Sequence, residues 1–186
     1  VLTVRNLEAR MGLEGLLRAV ARLRDDGVAV SLVVGGEGSL RSHLEELTAA
    51  LSLGDRVRFA GFVPEALLPR YYQAADAFVL PTASLEGFGL VTVEALACGT
   101  PVLGTPVGAT PEILRRLDAP LLFRDASDLA ITDGLRDFLD RLRKDPEGIE
   151  ALRRACRDVV ERRYDWERSV DGLEHLLLGL ATRCVP

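Results

Sequence analysis

The chain is 186 residues long, 48% apolar and 27% charged, a balance that can give one sizeable domain a full core and that argues against disorder. A net charge of −5 suggests no general attraction to nucleic acid or to a membrane surface. No apolar run approaches the roughly 20 residues that a spanning helix needs, and no signal peptide is visible. Val1 to Val4 is short and apolar, as a buried strand would be, and a chain that starts inside such a run reads as a piece of something longer. Leu13, Leu16, Leu17 and Val20 then keep helical spacing to about Arg24, and Asp25-Asp26-Gly27 ends that helix. Val28 to Val34 is nearly continuous in apolar and β-branched residues, the pattern of a strand covered on both faces. Gly35-Gly36-Glu37-Gly38 turns the chain, and Leu40, Leu44, Leu47 and Leu51 mark the next helix. Val57, Phe59 and Phe62 form a strand ending at Gly61-Phe62-Val63-Pro64, and Leu67 to Ala75 a short helix.

Ala77 to Leu80 is the next strand, and Pro81-Thr82 ends it. A helix opening near Phe88 and closing at Gly99 follows, with Leu90, Val93, Leu96 and Ala97 as its expected apolar arc. Pro101 to Leu103 and Leu121 to Phe123 are short strands, with a short helix around Glu112 and Ile113 between them. From about Ser127 the chain is helical: stripes run through Leu135 to Leu142, Ile149 to Val159 and Val170 to Leu180, broken at Asp145-Pro146 and at Tyr164-Asp165-Trp166. Such alternation over about 145 residues implies an α/β fold, a Rossmann-like parallel sheet of about six strands with helices on both faces and right-handed crossovers. Residues 1–145 read as that domain and 146–186 as C-terminal helices packing on it. A ligand then belongs at the carboxyl ends of the strands.

The most informative stretch is Glu86-Gly87-Phe88-Gly89 with Glu94 eight residues after Glu86. Glu86 sits just before a helix start, where free N–H groups and the dipole attract an anion, and the two glycines let backbone approach a ligand closely. Glu94 falls inside the apolar arc, where an unpaired polar group would cost roughly 2–7 kcal/mol. The physical reading is a polyhydroxylated, anionic ligand, with phosphate at the helix end and hydroxyls on the two carboxylates. Cys98, Cys156 and Cys184 make no metal spacing and their odd number fits a reducing compartment; no Asp-x-Asp or His cluster suggests a metal. His43 and His175 lie on presumed helices away from the strand ends, and Tyr71-Tyr72 reads as packing.

Glu86-x7-Glu94, followed by Ala95-x-Ala97-x-Gly99-x-Pro101-Val102, resembles the donor-site signature of retaining GT-B glycosyltransferases of the group 1, family 4 type. The resemblance covers nearly the whole chain, best from Ser31 to Leu114, and implies the C-terminal, donor-binding half of such an enzyme. It implies that Glu86 lies by the donor sugar as the catalytic residue and that Glu94 binds the ribose hydroxyls. The Gly87, Phe88 and Gly89 segment would hold phosphate, Gly36 would border the donor pocket, and Val63 would offer backbone groups to the base. The family's first loop carries an Arg and a Lys for the donor diphosphate; here Asn6 and Met11 stand at those places. Arg5 and Arg10 lie one residue off each, and either could supply the charge. Glu112 resembles the family's Gly-x-Pro-Glu segment but is also an ordinary helix start. Tyr164-Asp165-Trp166 resembles the family's aromatic step before a final helix that crosses to the partner domain, with Trp166 as a packing anchor.

The implied donor is a UDP-, GDP- or ADP-sugar, with no cofactor and no metal expected. The acceptor would be a glycan, a lipid-linked glycan or a small molecule, bound mainly by an absent N-terminal half. The expected location is the cytoplasm, or the membrane's cytoplasmic face through that half. The departures at Asn6 and Met11 keep open a non-catalytic nucleotide-binding or regulatory module of the same fold. A flavodoxin-like receiver domain would need acids after its first and third strands, where this chain has Arg5-Asn6-Leu7 and Gly61-Phe62-Val63.

Overall fold

The computed structural model describes residues 1–117 and 119–183, the side chains of 181–183 excepted. Cys184 lies outside the described residues. The strands β1 (Leu2–Val4), β2 (Leu32–Gly35), β3 (Val57–Gly61), β4 (Phe78–Leu80) and β5 (Val102–Gly104) form one parallel sheet in the order β3-β2-β1-β4-β5. The chain order reverses between β1 and β4, which places a topological switch point at the carboxyl end of β1. The expected sixth strand is reduced to a parallel bridge between Gly104 and Leu122, with Gly104 N–H donating to Leu121 and Phe123 N–H to Gly104. The strand read from Val28 begins only at Leu32, because Val28 N–H is spent on the Leu23 carbonyl, closing the helix before it.

The helices are α1 (Leu13–Asp25), α2 (Arg41–Ala50), α3 (Leu68–Gln73), α4 (Leu90–Ala97), α5 (Thr110–Leu114), α6 (Asp128–Lys144), α7 (Pro146–Arg163) and α8 (Trp166–Arg183). They flank the sheet, with α1 packed on α2 and α6, and α4 packed on α3 and α7. The core joins Leu16, Leu17 and Val20 of α1 to Phe78, Val79 and Leu80 of β4 and to Leu135 of α6. Asp145 caps α7 by accepting from Gly148 N–H, so the Asp145-Pro146 break is a single residue between two helices.

Two expectations about faces are corrected. The buried side of α4 is Thr92, Ala95 and Leu96, whereas Leu90 is 68% exposed and Glu94 is exposed. Thr92 and Ala95 are small enough for α4 to lie close against β4 and β5, and that turns Leu90 and Glu94 outward. Trp166 is 80% exposed rather than a packing anchor; Tyr164, two residues earlier, makes the aromatic contact instead, edge-on to Phe88 at 5.7 Å. The α8 stripe of Val170, Leu173, Leu177 and Leu180 is exposed along its length. Among the described residues no helix is long and apolar enough to cross a membrane.

Candidate functional site

A cavity of about 650 Å³ opens at the carboxyl ends of β1, β2 and β3 and at the start of α4. Val4, Arg5, Asn6 and Met11 line it from the first loop, Gly36 and Glu37 from the second, and Phe62 and Val63 from the third. Leu68, Glu86, Phe88, Gly89, Leu90 and Val91 complete the wall. The volume is that of a ligand site, and the position is the switch point of the sheet. The second loop enters it under tight constraint: Gly36 has φ +114°, and a Cβ there would collide with the Arg5 carbonyl. The glycine at 36 thus serves backbone packing against the first loop as well as bordering the cavity.

Glu86 is held from two strands. Arg5 Nη2 donates to Glu86 Oε2 at 2.5 Å, Thr82 Oγ1 donates to the same oxygen at 2.8 Å, and Arg5 Nη1 donates to Thr82 Oγ1 at 2.6 Å. Burial by itself would raise the Glu86 carboxyl, but the bonds from Arg5 and Thr82 and the charges of Arg5 and Arg10 outweigh it. They hold the group below its ordinary range. Arg5, read from sequence as a phosphate contact, therefore has both terminal nitrogens on Thr82 and Glu86. Thr82 was not foreseen; a polar residue closing a fully apolar strand is the one signal that could have marked it.

Glu94 lies one turn beyond Leu90, its Oε2 accepting from the Tyr72 hydroxyl at 3.1 Å. Tyr72 is buried, packs edge-on to Phe78 at 5.4 Å, and belongs to the same helix as Leu68 of the cavity wall. Burial, then the charge and hydrogen bond of Glu94, push its phenol well up, so it stays a donor. The packing role read from sequence is real, and the hydroxyl's hold on Glu94 is additional. Arg10 is exposed and reaches across to the loop before α4, with Nη1 donating to the Leu85 carbonyl at 2.9 Å. Among the described residues, the N–H groups of Gly87, Phe88 and Gly89 have no acceptor. No group of three His, Cys, Asp or Glu stands together among those residues. Phe62, 68% exposed beside the buried Val63, presents an aromatic face to the cavity that sequence reading left unassigned.

Leu85 adopts φ 56° while its side chain is 80% exposed, so it pays left-handed strain without burying anything. Leu85→Asn keeps the carbonyl that Arg10 uses and tolerates this conformation. It is expected to raise unfolding stability by about 1 kcal/mol in a denaturant titration.

The family model described as glycosyl transferases group 1 matches residues 1–158. A D-inositol 3-phosphate glycosyltransferase of Thermomonospora curvata is 35% identical over 176 residues, covering 88% of this chain and 39% of that protein. The C-terminal domain of a group 1 glycosyl transferase, LpcC of Francisella tularensis, superposes with a TM-score of 0.73 at 25% identity, covering 89% of this chain and 86% of that one. HepE of Anabaena in complex with UDP superposes with a TM-score of 0.82 at 21% identity, covering 96% of this chain and 48% of that one, a likeness of fold. The chain spans less than half the length of the curated relatives it matches. A family match across 158 of 186 residues, on the C-terminal domain of the GT-B fold, places this chain among the glycosyl transferases of group 1.

Proposed function

We propose that the chain is the donor-binding half of a retaining glycosyltransferase that moves a sugar from a nucleoside diphosphate to an acceptor. The observation that carries this is the switch-point cavity, whose wall holds an ionised Glu86 with Phe88 and Gly89, in a segment just before α4 where the amides of Gly87, Phe88 and Gly89 have no acceptor among the described residues. Those amides, with the helix dipole, suit a departing diphosphate. Arg10, whose charge already reaches Glu86, supplies a cation in place of the Lys replaced by Met11. In the reaction the bond from the anomeric carbon to the diphosphate oxygen breaks, its electron pair leaving with the nucleotide. The acceptor oxygen bonds to that carbon and passes its proton to the departing diphosphate oxygen. Glu86 faces the positive charge that develops on the sugar, Glu94 holds the ribose hydroxyls, and the third loop at Phe62-Val63 takes the base. Stabilising the leaving phosphate in this way asks for no metal.

The nucleotide bound by HepE supports a nucleoside diphosphate as the shared part of the donor. Residues 1–145 form the donor domain in this reading, and 146–186 lead toward an acceptor-binding half. The free Cys98 and Cys156 suit a cytoplasmic site of action. A second reading, a nucleotide-binding module without turnover, is favoured only by Asn6 and Met11, which line the cavity at the family's Arg and Lys positions.

Calorimetric titration of the full-length protein with UDP, GDP and ADP tests the proposal. One nucleotide is expected to bind without added metal, and Glu94→Ala to weaken it about tenfold, the loss of hydrogen bonds to a charged group. Binding of none of them by folded protein would refute a donor site. Binding without turnover of any matching nucleotide sugar would favour the module.

A further inference from the structure

Arg5 leaves the carboxyl end of β1 and Thr82 follows that of β4, so the switch point makes neighbours of residues 77 apart in sequence. Their three hydrogen bonds form a closed triangle with Glu86. Arg5 donates to the threonine oxygen, and that leaves the hydroxyl proton to go to the carboxylate; Arg5 donates there as well. Both donors end on Oε2. Among the described residues Oε1 has no hydrogen-bond partner, and it lies on the side of Gly89, where a Cβ would stand 3.8 Å from it. Thr82 is itself fixed, because Thr105 Oγ1 donates to its carbonyl at 2.6 Å.

The pair is deeply buried, with side-chain exposures of 5% and 10%. A buried ion pair returns little stability, since the cost of removing both charges from water rivals their attraction. What it does deliver here is a single orientation of one carboxylate at the edge of a cavity. We infer that Arg5 and Thr82 are positioning residues that anchor Oε2 of Glu86 and present an ionised Oε1 to the donor. The inference rests on the reading of Glu86 as the donor-side carboxylate. It gives Arg5 a task different from gripping diphosphate: its guanidinium fork spans two acceptors that a lysine cannot reach together. The depressed carboxyl of Glu86 agrees with this anchoring.

The test uses the full-length protein labelled with ¹³C at glutamate side-chain carboxyls, the Glu86 signal assigned through Glu86→Gln. A parallel assay reads nucleoside diphosphate released from UDP-glucose, GDP-mannose or ADP-glucose. Wild type should titrate at Glu86 below the ordinary carboxylate range. Thr82→Val, isosteric but without the hydroxyl, should raise that midpoint and lower kcat about tenfold with KM within about twofold, the mark of an interaction that acts in the transition state. Thr82→Ser should restore the wild-type midpoint. An unmoved midpoint in Thr82→Val overturns the inference, even where none of the three donors turns over. An Arg5→Lys protein that raises only KM for the donor overturns it in favour of a diphosphate contact. Full kcat in Glu86→Gln removes the underlying reading, and the inference with it, whatever the titration shows.

Discussion

Glu86→Gln is expected to lower sugar transfer by about 10²- to 10³-fold, the scale on which removing one electrostatic contact at a reacting centre is felt. Nucleotide affinity should change little, because Glu94, the Gly87 to Gly89 amides and the third loop are untouched. The substitution also strands Arg5. Its guanidinium is nearly buried, and without a counter-charge it should cost about 3–5 kcal/mol of unfolding free energy. Stability against pH separates this electrostatic cost from a loss of shape. The folded carboxyl of Glu86 lies below its ordinary range. Its contribution is therefore complete above the pKa of the unfolded carboxyl and is lost as the pH falls through the folded value. Denaturant titrations of wild type and variant should converge toward acid and stand furthest apart near neutrality. A gap that does not change with pH would mean that the Arg5 pair is electrostatically idle.

The glutamates were legible in the sequence, and their environments were not. Short Val- and Leu-rich runs ending in glycine or proline announce a parallel sheet, and the Glu86 to Pro101 spacing singles out one strand end as the candidate. Periodicity along α4 then groups residues by face without saying which face meets core. Leu90 and Glu94 share one side of the helix, and the small Thr92 and Ala95 decide that this side looks outward. Trp166 misleads for a related reason, since an aromatic ring ordinarily signals packing while here Tyr164 takes the contact with Phe88. The partners of the carboxylates could not be read at all. Arg5 meets Thr82 and Glu86, and Tyr72 meets Glu94, through tertiary placement across separate elements, whereas Thr82 meets Glu86 four residues away within one loop. No local pattern encodes the long-range pairings: β1 lying beside β4 creates those of Arg5, and the packing of α3 on α4 creates that of Tyr72.

Strand order also brings the loop after β5 against the loop that carries Glu86, and there a single methyl group should be decisive. Gly108 has φ +58°, a Cβ on it would collide with the Glu86 carbonyl oxygen, and the Glu86 Cβ would stand 2.9 Å away. Ala109 N–H donates to the Gly87 carbonyl at 3.2 Å, so the two loops are also joined one residue beyond the contact. Gly108→Ala therefore meets left-handed strain and a backbone collision that no side-chain rotation relieves. The expected cost is about 2–4 kcal/mol in a denaturant titration. Gly54→Ala is the matched control: its Cβ would meet nothing within 4 Å, and its effect should stay within about 0.5 kcal/mol. Relief of the collision in Gly108→Ala must move one loop. Movement of the Glu86 loop carries the carboxylate away from Arg5 and Thr82, so kcat should fall together with stability. If the variant unfolds more easily yet keeps kcat, the loop after β5 has yielded instead, and the Glu86 loop is the stiffer of the two. In that case the triangle of Arg5, Thr82 and Glu86, rather than the packing of Gly108 behind it, sets where the carboxylate stands.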